Sequence, residues 1–309
     1  MRVENQPYGR LSEIIYENTF TSHPYKHPTI GSMADLEAAT VDDVREFHNT
    51  FYVPENAVVT IVGDFDTAQT KAWVTRYFGD IGRGKPITRP KVEPVTLSVE
   101  KRLYYEDRVQ VSRLYIQWPT VGEKSDDRFA LDVLGTILSG SRTARITKAL
   151  VYDEQAAASV QSGQSSNEDV GEFILMITPR PGHTLTSLEA ASEAIIERLK
   201  KEGPTAEEIQ KAIAGEELDF VSNLESNLGK AFELADGAGY HNDAGYFRTA
   251  YQKTLSVTAE DVKRVANKYL TGGRVVLSVV PEGKADQAAK PDQSKRVTDY
   301  DAKKPEGGK

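Results

Sequence analysis

Residues 40–62 read TVDDVREFHNTFYVPENAVVTIV, and residues 258–280 read TAEDVKRVANKYLTGGRVVLSVV; the two align without a gap, Thr40 on Thr258. Identities include Asp43/Asp261, Val44/Val262 and Asn49/Asn267. Residue class is kept at Asp42/Glu260, Arg45/Lys263, Phe51/Tyr269, Val59/Leu277 and Ile61/Val279. Each copy predicts a helix followed by a strand. Thr40 is an N-cap candidate, with Asp42 and Asp43 in the first turn where negative charge meets the helix dipole. Val41, Val44, Phe47, His48 and Phe51 follow helical spacing, Pro54-Glu55-Asn56 stops the helix, and Ala57–Val62 is a short apolar strand. The second copy repeats the plan. Thr258 is the cap, Val262, Val265, Ala266 and Tyr269 form one face, Gly272-Gly273 is the stop, and Val275–Val280 is the strand. A chance match would have to reproduce cap, face, turn and strand in register, so the pair reads as an internal duplication.

Between the copies, a stretch rich in Gly and Pro from Gly82 to Pro94 separates two halves. The later half predicts strands at Leu103–Glu106 and Val111–Trp118 and a helix at Asp126–Leu138, broken at Ser139-Gly140-Ser141 and resumed at Ala144–Tyr152. A strand pair, Ala156–Gln161 and Glu172–Thr178, precedes helices at Leu185–Lys201, Ala206–Leu228 and Phe232–Gly239. Strands in neighbouring pairs and helices in runs favour α+β over a doubly wound fold. The expected architecture is tandem homologous domains, each an antiparallel-rich sheet with helices packed on one face. Residues 1–81 read as the C-terminal part of the first domain, 82–96 as a linker and 97–283 as the second domain. Residues 284–309, poor in apolar side chains, read as a disordered tail or linker. Thr258 follows residues 97–257 of its own half, whereas Thr40 follows only residues 1–39. The first domain is therefore expected to be incomplete and the chain a fragment of a longer protein. Its first sheet should lack strands and expose apolar surface, favouring poor solubility or self-association.

Bulk properties exclude several classes. The 309 residues carry a net charge of −8, against the basic face a nucleic-acid binder needs. There is no cysteine, which removes disulfides, thiolate nucleophiles and Cys-ligated zinc. No run approaches the roughly 20 apolar residues of a membrane span, and MRVENQPYGRLSE has no apolar core of a signal peptide. His23 and His27 stand four apart, the spacing of helical zinc ligands, but Pro24 and Pro28 follow them and argue for a loop. His48 reads as a packed helix residue, and His183 and His241 read as turn residues. Asp64 and Asp66 resemble a carboxylate pair but read better as a strand-ending turn, with Asp66 or Thr67 capping a helix at Ala68–Phe78. Arg142 and Arg145 could receive an anion; a helix break with solvated arginines is the plainer reading. No nucleophile elbow, P-loop or dinucleotide fingerprint occurs.

The order ENQPYGRLSE, SHPYKHPTIG and LEAATVDDVREFHNTFYVPENAVVTIVGDFD, followed by LSGSRTARITKALVYDEQAAASVQSG, resembles the pitrilysin/insulinase family of zinc peptidases. The likeness is to its bacterial, processing-peptidase-like branch. The matching features are His23-Pro24-Tyr25 with Gly31, the helix from Thr40, Tyr52-Val53-Pro54-Glu55-Asn56, and Gly63-Asp64-Phe65. The resemblance implies tandem domains paired into half-shells around a peptide or unfolded polypeptide. The second half-shell would lie in the same longer chain or in a separate subunit. It also implies a zinc site built on H-x-x-E-H, whose Glu activates water. That motif is absent from this sequence, so the zinc ligands and catalytic Glu are expected upstream. Glu4 is the nearest candidate for the distal ligand, although its ENQPYG context fits the stretch after that ligand. Active members often carry an Arg and, seven residues later, a Tyr in the second domain; here those positions are Val151 and Ala158. The chain is thus expected to contribute no catalytic or metal-binding residue and to bind no catalytic zinc itself. A non-catalytic scaffold subunit of the same fold is the alternative. For a bacterial source the resemblance points to a periplasmic or otherwise exported protein.

Overall fold

Both copies of the repeated phrase form the helix expected of them. In the computed structural model, which describes residues 6–89 and 91–298, Thr40 and Thr258 each begin a helix of 11 residues, Val41–Phe51 and Ala259–Tyr269. Each threonine side chain accepts from the backbone N–H of Asp43 or Asp261. Each aspartate accepts in return from the threonine N–H, at 2.8 and 3.1 Å. These reciprocal bonds satisfy amides that the helix start leaves unpaired. The threonine hydroxyl also donates to the aspartate, and this bond first, then the one from the threonine N–H, holds both carboxyls below their usual range.

In chain order the helices are α1 Leu11–Thr19, α2 Met33–Ala38, α3 Val41–Phe51, α4 Thr67–Phe78 and α5 Asp127–Ser139. They continue as α6 Leu185–Glu202, α7 Ala206–Glu225, α8 Asn227–His241, α9 Tyr246–Leu255 and α10 Ala259–Tyr269. The strands are β1 Lys101–Asp107, β2 Arg113–Val121, β3 Ala157–Ser166, β4 Val170–Pro179, β5 Val275–Pro281 and β6 Lys295–Arg296. They form one six-stranded mixed sheet in the order β3-β4-β2-β5-β1-β6. The pairs β3/β4, β4/β2 and β2/β5 are antiparallel, and β1 runs parallel to both β5 and β6. The described residues thus contain a single α+β domain with one sheet rather than tandem sheet domains.

The chain divides into two compact units. One holds the described residues up to Ile30, those from Val92 to Glu216 and those from Lys253 onward; the other holds Gly31–Lys91 and Glu217–Gln252. The linear boundaries at 81 and 97 therefore do not coincide with compactness. The first unit carries the sheet and the core. Leu114, Ile116 and Trp118 of β2 are buried on the face where α5, α6 and α10 pack. Tyr115 points to the other face and joins Val275, Leu277 and Val279 beneath Ile14 and Ile15 of α1. Helices on one face only were expected; α1 covers the second, because alternation along β2 and β5 makes both faces apolar.

The expected disordered tail is ordered over its described part. Residues 284–298 form two short turns and β6. Ala288 and Ala289 are buried, Ala289 N–H donates to the buried Ser278 hydroxyl at 3.0 Å, and Val297 N–H donates to the Tyr104 carbonyl at 2.9 Å. Two alanines are small enough to enter the core, and β6 covers the open edge of β1. Residues 299–309 lie outside the described residues.

In the second unit no residue described between Gly31 and Lys91 is buried. Residues 57–62 are extended but form no strand, because no partner strand lies beside them among the described residues. The apolar faces expected to be uncovered are uncovered: Val41, Val44 and Phe47 stay 73%, 63% and 58% exposed, while Val262 and Val265 are fully buried. Identical caps should therefore differ in weight. Thr258→Ala is expected to lower stability by about 1 kcal/mol, the usual cost of losing a cap. Thr40→Ala is expected to leave the melting transition of the sheet domain unmoved. Paired thermal melts would check both.

Candidate functional site

Backbone irregularity concentrates between Thr147 and Ser159. The expected helix there is a π-helical segment, Thr147–Asp153, closed by Glu154 N–H donating to the Ala149 carbonyl five residues back at 2.9 Å. Gln155 has a left-handed φ of 52°, and the β3/β4 register steps from Ala157 to Ser159, leaving Ala158 in a bulge. Such features re-aim side chains and recur at functional sites. Here the side chains in the two telling places are Val151, half-buried, and Ala158, exposed. Neither can bind an oxyanion or move a proton. Lys148 pairs with Asp153, and the Arg142 guanidinium lies 4.8 Å from the centre of the Tyr152 ring.

Arg145 is not a solvated arginine. Its guanidinium grips Glu208 with two bonds of 2.7 and 2.8 Å and donates to the Gly203 carbonyl at 3.0 Å. It ties the start of α7 to the π-helical segment and offers no anion site. Asp66 caps α4 by accepting from Gln69 N–H at 2.7 Å, as the turn reading requires, and Asp64 lies exposed in that turn.

The histidines do not converge. His23 is buried and caps a single 3-10 turn, Pro24–Lys26, through Nδ1, which accepts from Tyr25 N–H at 3.1 Å. Burial lowers its pKa against the opposing pull of Asp169. His27 and His183 are exposed, His48 stacks on Tyr52, and His241 stacks on Tyr246. Glu4 lies outside the described residues.

One carboxylate group among the described residues has metal-like spacing: Glu100, Glu189 and Glu193 bring oxygens within 4.8 Å of one another. Those oxygens are already committed. Arg102 holds Glu189 with bonds of 2.9 and 2.6 Å and reaches Glu100 at 2.7 Å, while Arg274 bonds Glu100 at 2.8 Å and also Glu193. Two guanidinium groups fill the space a cation would need, and no histidine contributes. These residues do not suit zinc.

Two further polar clusters were not legible in the sequence. On the α1 side of the sheet, the Tyr16 hydroxyl donates to Glu172 Oε1 at 3.0 Å, and Gln117 Nε2 donates to Thr19 Oγ1 at 3.1 Å. Burial, and then the adjacent carboxylate, push the Tyr16 pKa up to about 12; burial raises Glu172 as well. On α5, Asp132 is pushed up to about 7 by burial and then by the charge of Glu216, against the opposing charge of Arg128. Thr136 Oγ1 donates to Glu216 Oε1 at 2.9 Å, and Arg128 pairs with Glu123 at 2.9 Å. The one available signal was Asp132 itself, a carboxylate set among Phe129, Leu131, Val133 and Leu134.

Residues 38–216 match the family described as "Peptidase M16 inactive domain". The zinc protease PqqE of Helicobacter pylori is 28% identical over 87% of this chain and 61% of its own length. A crystal structure of a protease from Helicobacter pylori superposes with a TM-score of 0.82 at 25% identity, covering 91% of this chain and 68% of that one. A chain of complex III from Candida albicans shares the fold, with a TM-score of 0.76 at 16% identity over 90% of this chain and 68% of that one. The chain belongs to the M16 peptidase family, and the domain matched is the family's inactive one. It spans less than two thirds of the length of the curated relatives it resembles.

Proposed function

We propose that this chain is the non-catalytic portion of a zinc metalloendopeptidase that hydrolyses peptides or unfolded segments, its zinc ligands and catalytic Glu lying outside these residues. The observation that carries the reading is the pairing of an inactive-domain match with Val151 and Ala158 at the irregular π-helix and bulge. A π-helix and a bulge are irregularities that can aim side chains at a substrate, and at the two positions where the resemblance leads one to expect an Arg and a Tyr this chain carries Val151 and Ala158. Its role is then that of wall and clasp for a substrate chamber, with zinc held elsewhere. The purified 309-residue chain is expected to retain no stoichiometric zinc after dialysis and to leave an unfolded casein substrate intact. Zinc at one equivalent together with chelator-sensitive cleavage would overturn the proposal.

A second reading, a non-catalytic scaffold subunit, is favoured by the shared fold with a chain of complex III. The coding sequence immediately upstream separates the two. An intact H-x-x-E-H with its distal Glu supports the peptidase, and a degenerate one supports the scaffold.

A further inference from the structure

We propose that a cavity at the end of α10 binds a free α-amino acid with an apolar side chain, held through both its ammonium and its carboxylate. The site goes beyond the peptidase reading and does not depend on it.

The cavity has a volume of about 260 Å³ and opens between α6, the end of α10 and the residues leading into β5. Pockets for drug-sized ligands begin at about 300 Å³, so this one fits something smaller. Its floor is apolar, because Ile196, Leu270 and Trp118 are buried beneath it. Two bonds fix the walls. The Trp118 indole N–H donates to the Thr271 carbonyl at 2.8 Å, and the Lys200 ammonium donates to the Leu270 carbonyl, tying α6 to the end of α10.

The polar groups around that floor are only half used. Glu193 and Glu197 stand one turn apart on α6. One oxygen of Glu193 accepts from Arg274, and one oxygen of Glu197 accepts from Lys200 at 2.7 Å. The second oxygen of each carboxylate has no hydrogen bond among the described residues. Arg274 commits Nε to Glu100 at 2.9 Å and Nη2 to Glu100 and Glu193, which leaves the two N–H groups of Nη1 unused among the described residues. Thr271 Oγ1 accepts from Gly273 N–H at 3.2 Å, so its own O–H remains able to donate. Two carboxylate oxygens and two kinds of donor therefore line one small space.

Charge decides what fits. In the lining, Glu193 and Glu197 balance Lys200 and Arg274. A simple anion would meet two carboxylates and a simple cation would meet two cationic side chains, and like charges so placed are rejected. A molecule carrying both charges finds a partner for each. Its ammonium meets the carboxylates beside the carbonyl end of α10, where the helix dipole also favours a cation. Its carboxylate accepts from Arg274 Nη1 and the Thr271 hydroxyl. An apolar side chain then covers Ile196 and Leu270. The zwitterion of an α-amino acid carries all three groups on one carbon.

The test is a titration of the 309-residue chain with L-leucine, read on its two tryptophan indole N–H signals in a nitrogen–proton correlation spectrum. Trp118 lines the cavity, whereas Trp73 lies on α4 and serves as the control. The Trp118 signal is expected to move and saturate with a Kd on the order of 1 mM, in keeping with a ligand of few atoms, while Trp73 stays in place. Acetate and methylammonium each carry one of the two charges and are expected to bind at least about 10-fold more weakly, the loss of one charged hydrogen-bonded group. Glu197→Gln, at an exposed position, is expected to weaken leucine binding about 10-fold for the same reason and to leave the unliganded indole signals where they are in the parent. A Trp118 signal that does not respond to leucine, or a shift shared equally by Trp73, would overturn the proposal. So would acetate acting as well as leucine, or leucine binding equally to parent and Glu197→Gln.

Discussion

Glu189→Ala is expected to destabilise the sheet domain by about 3–5 kcal/mol, the range for removing one partner of a buried ion pair. Glu189 is fully buried, and the Arg102 side chain is 5% exposed. Each hydrogen bond between them satisfies a charge that water cannot reach. Burial disfavours the Arg102 charge, and the bonds from Glu189 and Glu100 more than restore it, so its pKa is raised. Removing Glu189 leaves that guanidinium enclosed with Glu100 as its remaining anion and strips a contact from Lys290 as well. The loss follows from the orphaned charge rather than from the worth of the pair. Arg102→Met combined with Glu189→Leu should therefore recover most of the stability. Urea unfolding of the single and double variants would measure both. A single-variant loss below about 1 kcal/mol would show that solvent or another group relieves Arg102.

Asp132→Asn is expected to abolish a pH dependence worth about 4 kcal/mol. Burial, and then the charge of Glu216, push the folded carboxyl up to about 7 from the ordinary 3.8, a difference of roughly three pH units at about 1.4 kcal/mol each. Between those two values the folded state binds the proton and the unfolded state does not. Stability from this group is therefore complete below about pH 4, falls as pH rises towards 7, and is flat above. The asparagine variant carries no charge at any pH, so it should melt higher than the parent at pH 8 and close to it at pH 4. Arg128 remains paired with Glu123 in either protein, which keeps the comparison clean. Equal pH profiles for parent and variant would place the titration elsewhere.

Local features were legible because their causes are local. Thr40 and Thr258 each sit three residues before an aspartate, and both form the capping box that this spacing permits. The prolines after His23 and His27 kept that segment from an α-helix, and Asp66 became a cap. Partners distant in sequence were not legible. Nothing near Arg102 announces Glu189, and nothing near Arg145 announces Glu208, so two arginines that composition assigns to solvent turned out to be internal braces. The tail after Pro281 failed for the same reason. Its composition is that of a linker, but Ala288 and Ala289 find a site beside Ser278 that only the assembled sheet provides. For the candidate site, the sequence identified which groups were missing, Val151 and Ala158. The π-helix and bulge that surround them depend on how α5, β3 and β4 meet.

The sequence by itself determined that one helix–strand phrase occurs twice, where each helix starts, and that no H-x-x-E-H is present. Each of these depends on neighbours along the chain. Whether the phrase is core or surface was decided only by tertiary structure. Val262 and Val265 are buried because α5, α6 and the sheet stand against them, whereas Val44 and Phe47 stay exposed, the Phe47 ring meeting Phe51 and Tyr52 of its own segment. Burial is a property of what a side chain meets, so one apolar stripe is core at Val262 and Val265 and surface at Val44 and Phe47.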